Sequence, residues 1–270
     1  MSKYITHFQT EAEYQSALPT LYLPNVSLVD ELGEVHYHRA LYGAHAGDIC
    51  LYDVAEGQKI VVTAENWNLT TYPTASYPII GVVVMDETAA GFTVMSNWLI
   101  GTDGSQSSTD TKYKWQSNNF DWGLTKYNTE DLAKTDFNGK ANTAAIINAI
   151  KAYDTSHGTD NITGNIGDII QKYHTDGTIA GDWYIPALGE AYKLNENRTT
   201  LLASFDKINT ASSSAGLSGS ELLPYDYDYT WSSSEYNIDR GWYLLLYDGY
   251  VDKEVKYGRS RVRAFARFNA

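Results

Sequence analysis

A hairpin signal near the C-terminus constrains this chain more than any other stretch. Residues 242–247 read Trp-Tyr-Leu-Leu-Leu-Tyr, and this alternation has the period of a strand with two different faces. Asp248-Gly249 follows directly and favours a two-residue turn, because Asp and Gly tolerate positive φ. With such a turn Trp242 lies opposite Val255 and Tyr247 opposite Tyr250. The sequence therefore predicts a hairpin with a fixed register.

This register sorts the hairpin side chains into two faces. The first face carries apolar residues suited to burial, namely Trp242, Leu246, Val251 and Val255. The second carries Tyr243, Leu245, Tyr247, Tyr250, Asp252 and Glu254. Tyrosine is favoured at recognition surfaces because its stiff ring offers a large contact area and a polar tip. We therefore expect the second face to be exposed and to bind a ligand. The alternative is that a second layer of the protein covers it as ordinary core.

The flanking residues extend the hairpin into a longer motif. Residues 231–235 read Trp-Ser-Ser-Ser-Glu, Gly241-Trp242 opens the first strand, and residues 261–265 read Arg-Val-Arg-Ala-Phe. This stretch resembles the C-terminal variable region of proteins diversified by diversity-generating retroelements, a family that includes phage tropism determinants. Residues 182–190 also resemble the strand-to-helix signature W-x-x-P-x-x-x-E of the same fold family. The resemblance spans roughly residues 47–268 and is most specific in the C-terminal third.

The resemblance implies an α+β chain with a C-type-lectin-like fold of the formylglycine-generating-enzyme-like type. It implies a small N-terminal attachment or oligomerisation module over residues 1–45 and a lectin-like domain over residues 46–270, with its variable region at 231–268. In that family, mutagenesis at template adenines randomises selected codons and leaves scaffold codons unchanged. The implied variable, ligand-binding positions are Tyr236, Asn237, Ile238, Asp239, Arg240, Tyr243, Leu245, Tyr247, Tyr250, Asp252, Tyr257, Gly258 and Ser260.

Composition narrows the classes of partner. The formal net charge is −13 and the pI is about 4.8, which argues against binding to nucleic acid or to anionic membranes. No apolar run approaches the length of a membrane span, so we expect no membrane insertion. Residues 1–25 lack the basic and apolar regions of a secretory signal. Together with the resemblance to phage tropism determinants, this implies a protein made in the bacterial cytoplasm and carried in a virion tail, for which release by lysis is one route out of the cell.

Coarse patterns predict the remaining elements. Short apolar runs predict strands at residues 48–52, 59–62, 79–84 and 91–96. Apolar stripes predict helices over 142–153 and 188–202, with a shorter helical turn within 165–173. Residues 102–127 are polar but contain Trp115 and Trp122, which predicts a long ordered loop anchored by aromatic side chains. The N-terminal module is too short to bury much apolar surface alone. We expect it to pack on the main domain, a neighbouring subunit or another tail component.

Candidate metal sites are weak. His36 and His38 share a strand face, but further ligands are not evident, so a structural or exposed pair is preferred. The alternation of Tyr and Asp over residues 225–229 suits calcium, sugar hydroxyls or a basic patch, yet a solvated acidic loop is the commoner explanation. Cys50 is the single cysteine, which excludes an intrachain disulfide. We predict neither a metal nor a cofactor.

Catalytic motifs are also hard to find. The chain shows no GxSxG, HExxH, P-loop or GxGxxG pattern. Formylglycine-generating relatives depend on cysteines late in the domain, and this chain has none there. Glu190 and Glu235 are the obvious suspects for a glycosidase pair. The resemblance instead implies that both hold scaffold elements by hydrogen bonds, so we predict that the protein is not an enzyme.

The leading hypothesis is a diversified receptor-binding protein at a phage or prophage tail tip. Its partners would be a bacterial surface protein or glycan together with other tail components. Several copies on one particle would raise effective affinity, so a homo-oligomer such as a trimer fits this role. Two alternatives stay open at this point. They are an enzyme acting on surface carbohydrate and a purely structural tail or fibre protein.

Overall fold

A computed structural model describes residues 27–29, 35–37, 44–88, 91–97, 99–107, 111–214, 229–245 and 248–268. Within these ranges the chain is an α+β protein, as predicted. The strands are β1 (Ser27–Val29), β2 (Val35–Tyr37), β3 (Ile49–Asp53), β4 (Gln58–Val62), β5 (Ile79–Thr88), β6 (Gly91–Ser96), β7 (Leu99–Ile100), β8 (Gln106–Ser107), β9 (Trp183–Tyr184), β10 (Tyr229–Glu235), β11 (Arg240–Leu245), β12 (Val251–Val255) and β13 (Phe265–Phe268). The helices are α1 (Glu130–Ala133), α2 (Gly139–His157), α3 (Ile166–Lys172), α4 (Leu188–Glu196) and α5 (Arg198–Ser214).

The larger sheet joins the early strands to the end of the chain. Its strand order is β4-β3-β5-β6-β13-β9, and the pairs are antiparallel. The four predicted early strands are confirmed as β3 to β6. Strand β13 lies between β6 and β9, where Phe265 pairs with Met95 on one side and Tyr184 on the other. The C-terminal stretch is therefore held in the main sheet.

The longer helices follow the predicted stripes but differ in their bounds, α5 continues to Ser214 beyond the predicted end at 202, and the short helix α1 was not predicted. Helix α2 begins at Gly139, three residues before the predicted start, and buries Ile146, Ile147 and Ile150. The helix predicted over 188–202 is two helices, α4 and α5, separated at Asn197. The Asn197 side-chain amide donates to the carbonyl of Val84 at 2.9 Å. This bond fixes the helix junction on β5. The short helix predicted within 165–173 is confirmed as α3.

A second sheet contains β10, β11 and β12 in that order and lies between two apolar clusters. One cluster holds Trp115 and Trp122 together with Trp231 of β10, so the predicted aromatic anchoring of the 102–127 loop is confirmed. The other holds Trp242 of β11 with residues of α4 and α5. Both faces of the three-stranded sheet are therefore covered by protein.

The hairpin of β11 and β12 exists, but the predicted register is wrong by two residues. Trp242 lies opposite Lys253 rather than Val255, and Leu244 lies opposite Val251. A shift of two residues leaves each side chain on its original face, because the side-chain period of a strand is two. The predicted division into two faces therefore survives the wrong register.

The turn explains the register shift. The Leu245 N–H donates to the Tyr250 carbonyl at 2.8 Å, and the Gly249 N–H donates to the Leu245 carbonyl at 2.9 Å. The connection therefore has four residues, 246–249, instead of two, with Gly249 in the left-handed region at φ 77°. Leu246 and Tyr247 lie outside the described residues.

Most of the predicted N-terminal module, residues 1–45, also lies outside the described residues. Its described part includes β1 and β2, which pair antiparallel with Ser27 opposite Tyr37. His36 belongs to β2, whereas His38 is not described. The boundary between residues 45 and 46 stays a prediction, as does the role of the module.

Candidate ligand-binding surface

Burial divides the thirteen candidate positions. Tyr247 lies outside the described residues, and nine of the remaining twelve keep solvent exposure. These nine are Tyr236, Asn237, Ile238, Asp239, Arg240, Tyr250, Asp252, Tyr257 and Gly258. The buried three are Tyr243, Leu245 and Ser260. Most of the candidate set is therefore accessible to a partner.

The predicted exposure of Tyr243 and Leu245 is wrong. Tyr243 is 8% exposed and Leu245 is 7% exposed. The Tyr243 ring centroid lies 4.0 Å from that of Tyr229 and 5.9 Å from that of Trp231. The covering layer weighed as the alternative is thus present on this face, because the loop with Trp115 and Trp122 packs against it.

Ser260 is buried for a different reason. Its backbone forms an isolated antiparallel bridge with Tyr113. The two N–H···O bonds of this bridge measure 2.8 and 3.0 Å. Ser260 therefore helps to attach the 113–127 loop to the C-terminal stretch, and its side chain contributes little to the outer surface.

Residues between the candidate positions form a buried frame. The indole N–H of Trp231 donates to the carbonyl of Tyr113 at 2.8 Å. The Ser232 hydroxyl donates to the carbonyl of Trp242 at 2.8 Å. The Ser234 hydroxyl donates to Asp136 at 2.7 Å and accepts from the first N–H of α4 at 2.9 Å. The Trp-Ser-Ser-Ser-Glu motif therefore connects the sheet to the loop and to α4.

The β10–β11 connection is a tight exposed turn. The Tyr236 N–H donates to the Arg240 carbonyl at 3.0 Å. The Asn237 side-chain oxygen accepts from the N–H groups of Asp239 and Arg240 at 2.9 and 2.8 Å. Ile238 at the tip is 52% exposed. Asn237 therefore shapes the turn by its side chain, while Ile238 is available to a partner.

A buried ion pair supports this turn from below. The Lys256 ammonium donates to Glu235 at 2.5 Å, to the Ile238 carbonyl at 2.9 Å and to the Phe120 carbonyl at 3.1 Å. Neither Lys256 nor Glu235 is exposed. Burial lowers the pKa of Lys256, and the hydrogen bond to Glu235 opposes that change. The same ammonium lies 4.1 Å from the Trp122 ring centroid.

The exposed candidates form two groups rather than the single patch expected. The turn at 236–240 lies at one end of the three-stranded sheet beside the connection that follows β12, because the Lys256 N–H donates to the Asp239 carbonyl at 3.0 Å. Tyr257, which is 45% exposed, follows there. Tyr250 is 54% exposed and lies at the other end. The length of β11 separates the two groups by about 17 Å.

We name each group by its most exposed large hydrophobic side chain. The Ile238 patch comprises the exposed candidates at the first end, Tyr236, Asn237, Ile238, Asp239, Arg240, Tyr257 and Gly258. The Tyr250 patch comprises Tyr229, Tyr243, Asp248, Tyr250 and Asp252. Tyr229 was predicted only as part of a solvated acidic loop. The rings that contact Tyr229, those of Tyr243 and Tyr250, could not be predicted from the sequence because they lie in other parts of the sheet.

The Tyr250 patch is acidic. Burial raises the pKa of Tyr229, and the charges of Asp252 and Asp248 and the neighbouring Tyr250 add to this effect. Burial also raises the pKa of Tyr243, and Asp252, Tyr229 and Glu254 raise it further. Both phenols therefore stay protonated and neutral at physiological pH, as hydrogen-bonding groups in a negative field.

Comparisons with known proteins add a likeness to a solved structure. No family model matches the sequence, and no curated protein matches it. Among solved structures, the chain is similar to the crystal structure of a fimbrial protein from Bacteroides ovatus ATCC 8483, with a TM-score of 0.50 and 16% sequence identity. The alignment covers 83% of this chain and 49% of that one. The chain thus spans about half the length of that protein, and the likeness concerns the fold alone.

The two carboxylates considered for catalysis are both buried and bonded within the protein. Glu190 accepts from the Ala187 N–H at 2.9 Å, from the Tyr184 hydroxyl at 3.2 Å and from the Arg267 guanidinium at 2.7 Å. Burial raises the pKa of Glu190 to about 7, although these donors oppose the change. Glu235 is held by Lys256 and by the Trp122 N–H at 3.2 Å. Both carboxylates therefore connect parts of the scaffold by hydrogen bonds.

A groove of about 540 Å³ lies between β5, β6, β13 and the end of α4, and none of its lining residues belongs to either patch. Its walls include Asp86, Lys193, Glu196 and Arg267, which are two acidic and two basic side chains. Among the described residues, no group of three or more His, Cys, Asp or Glu side chains could hold a metal ion.

None of the helices within the described ranges is both long and apolar enough to cross a membrane.

Proposed function

We propose that this chain is a diversified receptor-binding protein, an adhesin of a phage or prophage tail tip that binds a bacterial surface protein or glycan. The proposal includes a C-type-lectin-like fold for the domain that carries the variable region. The contrast between neighbouring positions supports it. Residues 231–235 and 261–266 are buried, whereas nine of the twelve described candidate positions are accessible. A protein diversified at the fully exposed members of this set, Ile238, Asp239, Arg240, Tyr250 and Tyr257, would keep its frame.

One observation carries the proposal. Seven large hydrophobic side chains are exposed among the described residues, and three of them are candidate positions, namely Ile238, Tyr250 and Tyr257. Exposed apolar and aromatic side chains are the usual energetic centres of protein interfaces. The three belong to connections of a sheet whose faces are both covered. Loops on such a rigid platform would bind with little loss of conformational entropy.

The proposed contacts differ from the sequence-based expectation in one respect. Binding would use the connections at the two ends of the sheet, because Tyr243 and Leu245 of the central strand are buried. Tyr243 would act as the floor of the Tyr250 patch. Several copies on one particle would raise the effective affinity by about 10² to 10⁴ when geometry lets them engage together. A trimer and attachment through the N-terminal module remain part of this proposal.

A second candidate is a structural subunit of a surface fibre. The solved structure to which this chain is similar is named a fimbrial protein, and that name favours a role in a filament. In this case the exposed side chains of the two patches would contact other subunits. Enzymatic action on carbohydrate is less well supported, because Glu190 and Glu235 have no exposed surface and are bonded to scaffold groups.

Binding to whole bacteria tests the proposal. The purified chain, coupled to a fluorescent tetrameric carrier, is incubated with a panel of bacterial strains and measured by flow cytometry. The variant with Ile238→Ser, Tyr250→Ser and Tyr257→Ser should lose at least about 10-fold in signal on the strains that the unmodified chain binds. A matched control changes three exposed apolar residues elsewhere, Val54→Ser, Leu132→Ser and Ile179→Ser, and should keep the signal. Equal loss in both variants, or no strain bound, contradicts the proposal.

A further inference from the structure

The Tyr250 patch combines aromatic rings from three parts of the sheet. The ring centroids of Tyr229 and Tyr243 are 4.0 Å apart, and those of Tyr229 and Tyr250 are 6.4 Å apart. Tyr243 is buried, Tyr229 is partly exposed and Tyr250 is mostly exposed. The three rings therefore form a continuous series from the buried Tyr243 through Tyr229 to the exposed Tyr250. A partner would meet both ring faces and phenolic hydroxyls.

Carboxylates surround these rings. Asp252 lies directly opposite Tyr243 on β12. Asp248 precedes Tyr250 by two residues, and its Oδ1 accepts the Tyr250 N–H at 2.9 Å. Asp252 likewise uses Oδ1 to accept the Lys253 N–H at 2.8 Å. Within the described residues neither carboxylate forms an ion pair, Asp248 is exposed and Asp252 is partly exposed, so a cationic ligand at this surface would meet both charges.

The nearest basic side chain on the same strand turns away from this patch. The Lys253 ammonium lies 5.0 Å from the ring centroid of Tyr236 and 5.7 Å from that of Trp242, on the opposite face of the sheet. The neighbours that raise the pKa values of Tyr229 and Tyr243 are acids and other tyrosines. The patch is therefore both aromatic and negative.

This combination selects a cation. A guanidinium or ammonium group is attracted to the faces of tyrosine rings and to carboxylates, and it can lie between them. A neutral sugar would stack on the rings and donate hydroxyl hydrogen bonds to the carboxylates, but it would gain no attraction between opposite charges, and an acidic glycan would be repelled. The net charge of −13 would also steer a basic partner toward the protein.

We propose that the Tyr250 patch binds an arginine or lysine side chain presented by a protein partner. This inference rests on the proposed function and deepens it, because it makes the receptor at this patch a basic segment of a surface protein rather than a glycan. The rings supply the contact area and the carboxylates supply selectivity. The Ile238 patch, about 17 Å away, is left to contact other parts of the same receptor.

Fluorescence anisotropy with a labelled hexa-arginine peptide tests this inference. A hexaglutamate peptide and a labelled maltohexaose serve as acidic and neutral probes. Hexa-arginine should bind at least about 10-fold more tightly than either, and its affinity should fall as salt rises from 50 to 300 mM. If the neutral probe binds as tightly as hexa-arginine, the inference is overturned.

Paired variants separate the patch from general attraction to an acidic protein. Asp248→Asn with Asp252→Asn keeps the hydrogen-bond acceptors and should weaken hexa-arginine binding at least about 5-fold. The matched pair Asp131→Asn and Asp206→Asn removes two exposed charges from α1 and α5 and should change affinity less than about 2-fold. Equal weakening by both pairs overturns the inference. Far-ultraviolet circular dichroism and thermal melts would verify that each variant is folded.

A second comparison tests the rings. Tyr250→Leu keeps an apolar side chain but removes the ring, and should weaken hexa-arginine binding about 3-fold. Tyr257→Leu makes the same change at the opposite end of the sheet and should have no effect on hexa-arginine binding.

Different results would contradict the inference and the proposed function. Hexa-arginine bound no better than the neutral probe, with bacterial binding still lost in the Ile238, Tyr250 and Tyr257 variant, contradicts the inference alone. Selective peptide binding without any effect on bacteria contradicts the proposed function alone.

Discussion

The Lys256 ammonium lies 2.5 Å from a carboxylate oxygen of Glu235, and neither side chain has exposed surface. The same ammonium donates to the carbonyl of Ile238, whose side chain is exposed at the tip of the turn. The turn is thus held by backbone bonds that do not depend on the exposed side chain. An exchange at position 238 would leave this support in place.

Removing the Lys256 charge should be strongly destabilising. Lys256→Met leaves the buried Glu235 carboxylate without its buried, hydrogen-bonded cation, so we expect the free energy of unfolding to fall by about 3–5 kcal/mol. Urea unfolding followed by tryptophan fluorescence measures this change. Adding Glu235→Gln to the same variant should restore part of the loss, because the buried charge is then absent.

Lys126 offers a matched control on the same carboxylate. Its ammonium lies 3.9 Å from the other Glu235 oxygen, and its side chain is well exposed. Lys126→Met should therefore cost less than about 1 kcal/mol. Similar losses for Lys126→Met and Lys256→Met would show that burial of the ion pair is not what stabilises the turn.

The buried and exposed tyrosines should respond differently to truncation. Tyr243→Ala removes a ring that packs on Tyr229 and Trp231, and should cost about 3 kcal/mol of stability. Tyr257→Ala removes an exposed ring and should change stability by less than about 0.5 kcal/mol. Thermal unfolding of the two variants side by side provides the comparison. A stable Tyr243→Ala variant would mean that this position tolerates diversification despite its burial.

The sequence predicted the division of the hairpin into faces but not the covering of the second face. A period-2 pattern shows which side chains share a face, and Trp242 and Val251 are buried as expected. Tyr243 packs on Tyr229 and Trp231 and shares a buried cluster with Trp115 and Trp122, which lie more than a hundred residues earlier in the chain. No local pattern records such a long-range contact. A tyrosine in a strand is compatible with either environment.

The turn and the helix junction were missed for related reasons. Asp248-Gly249 favours a two-residue turn locally, but the four-residue connection lets Gly249 approach Asn195 of α4. Asn197 lies within a stretch whose apolar pattern continues into α5, and only its bond to the Val84 carbonyl marks the break. In both cases the observed conformation makes a tertiary contact that a local sequence pattern does not record. The scaffold roles of Glu190 and Glu235 came from the family resemblance, and their observed contacts agree with them.

Stability should depend on the protonation of Glu190. Burial raises the pKa of this carboxyl from 4.5 to about 7, so the folded state binds a proton that the unfolded state has released between these pH values. The stabilisation from the neutral form is complete below about pH 4.5 and is lost as pH rises through 7. Relative to Glu190→Gln, the unmodified protein should lose up to about 3 kcal/mol between pH 5 and pH 8.

Urea unfolding of both proteins at pH 5, 6, 7 and 8 measures this dependence. The difference between their free energies of unfolding should change steadily in favour of Glu190→Gln as pH increases. A difference that moves the opposite way would show that the ion pair with Arg267, at 2.7 Å, keeps the carboxylate charged in the folded protein.

The turn glycine should not tolerate a side chain. Gly249 has φ 77°, and an added Cβ would lie 2.5 Å from the side chain of Asn195. Gly123 has a similar φ of 75° but no heavy atom within 4 Å of the same position. Gly123→Ala should cost about 1 kcal/mol for the left-handed backbone, and Gly249→Ala should cost at least about 1 kcal/mol more.

Truncating the neighbour tests the steric part of that loss. Adding Asn195→Ala to Gly249→Ala should recover the excess over Gly123→Ala, as measured by thermal unfolding. If the two glycine variants lose equal stability, the contact with Asn195 does not determine the position of this turn.

The claim that exposed positions can be exchanged on a fixed frame has a direct test. Two libraries of the chain are displayed on yeast, one randomised at Ile238, Tyr250 and Tyr257 and the other at Tyr243, Leu245 and Ser260. The fraction of clones that resists a protease pulse is measured in each. The account predicts that most clones of the first library resist and most clones of the second are cleaved. Equal resistance of the two libraries would contradict it.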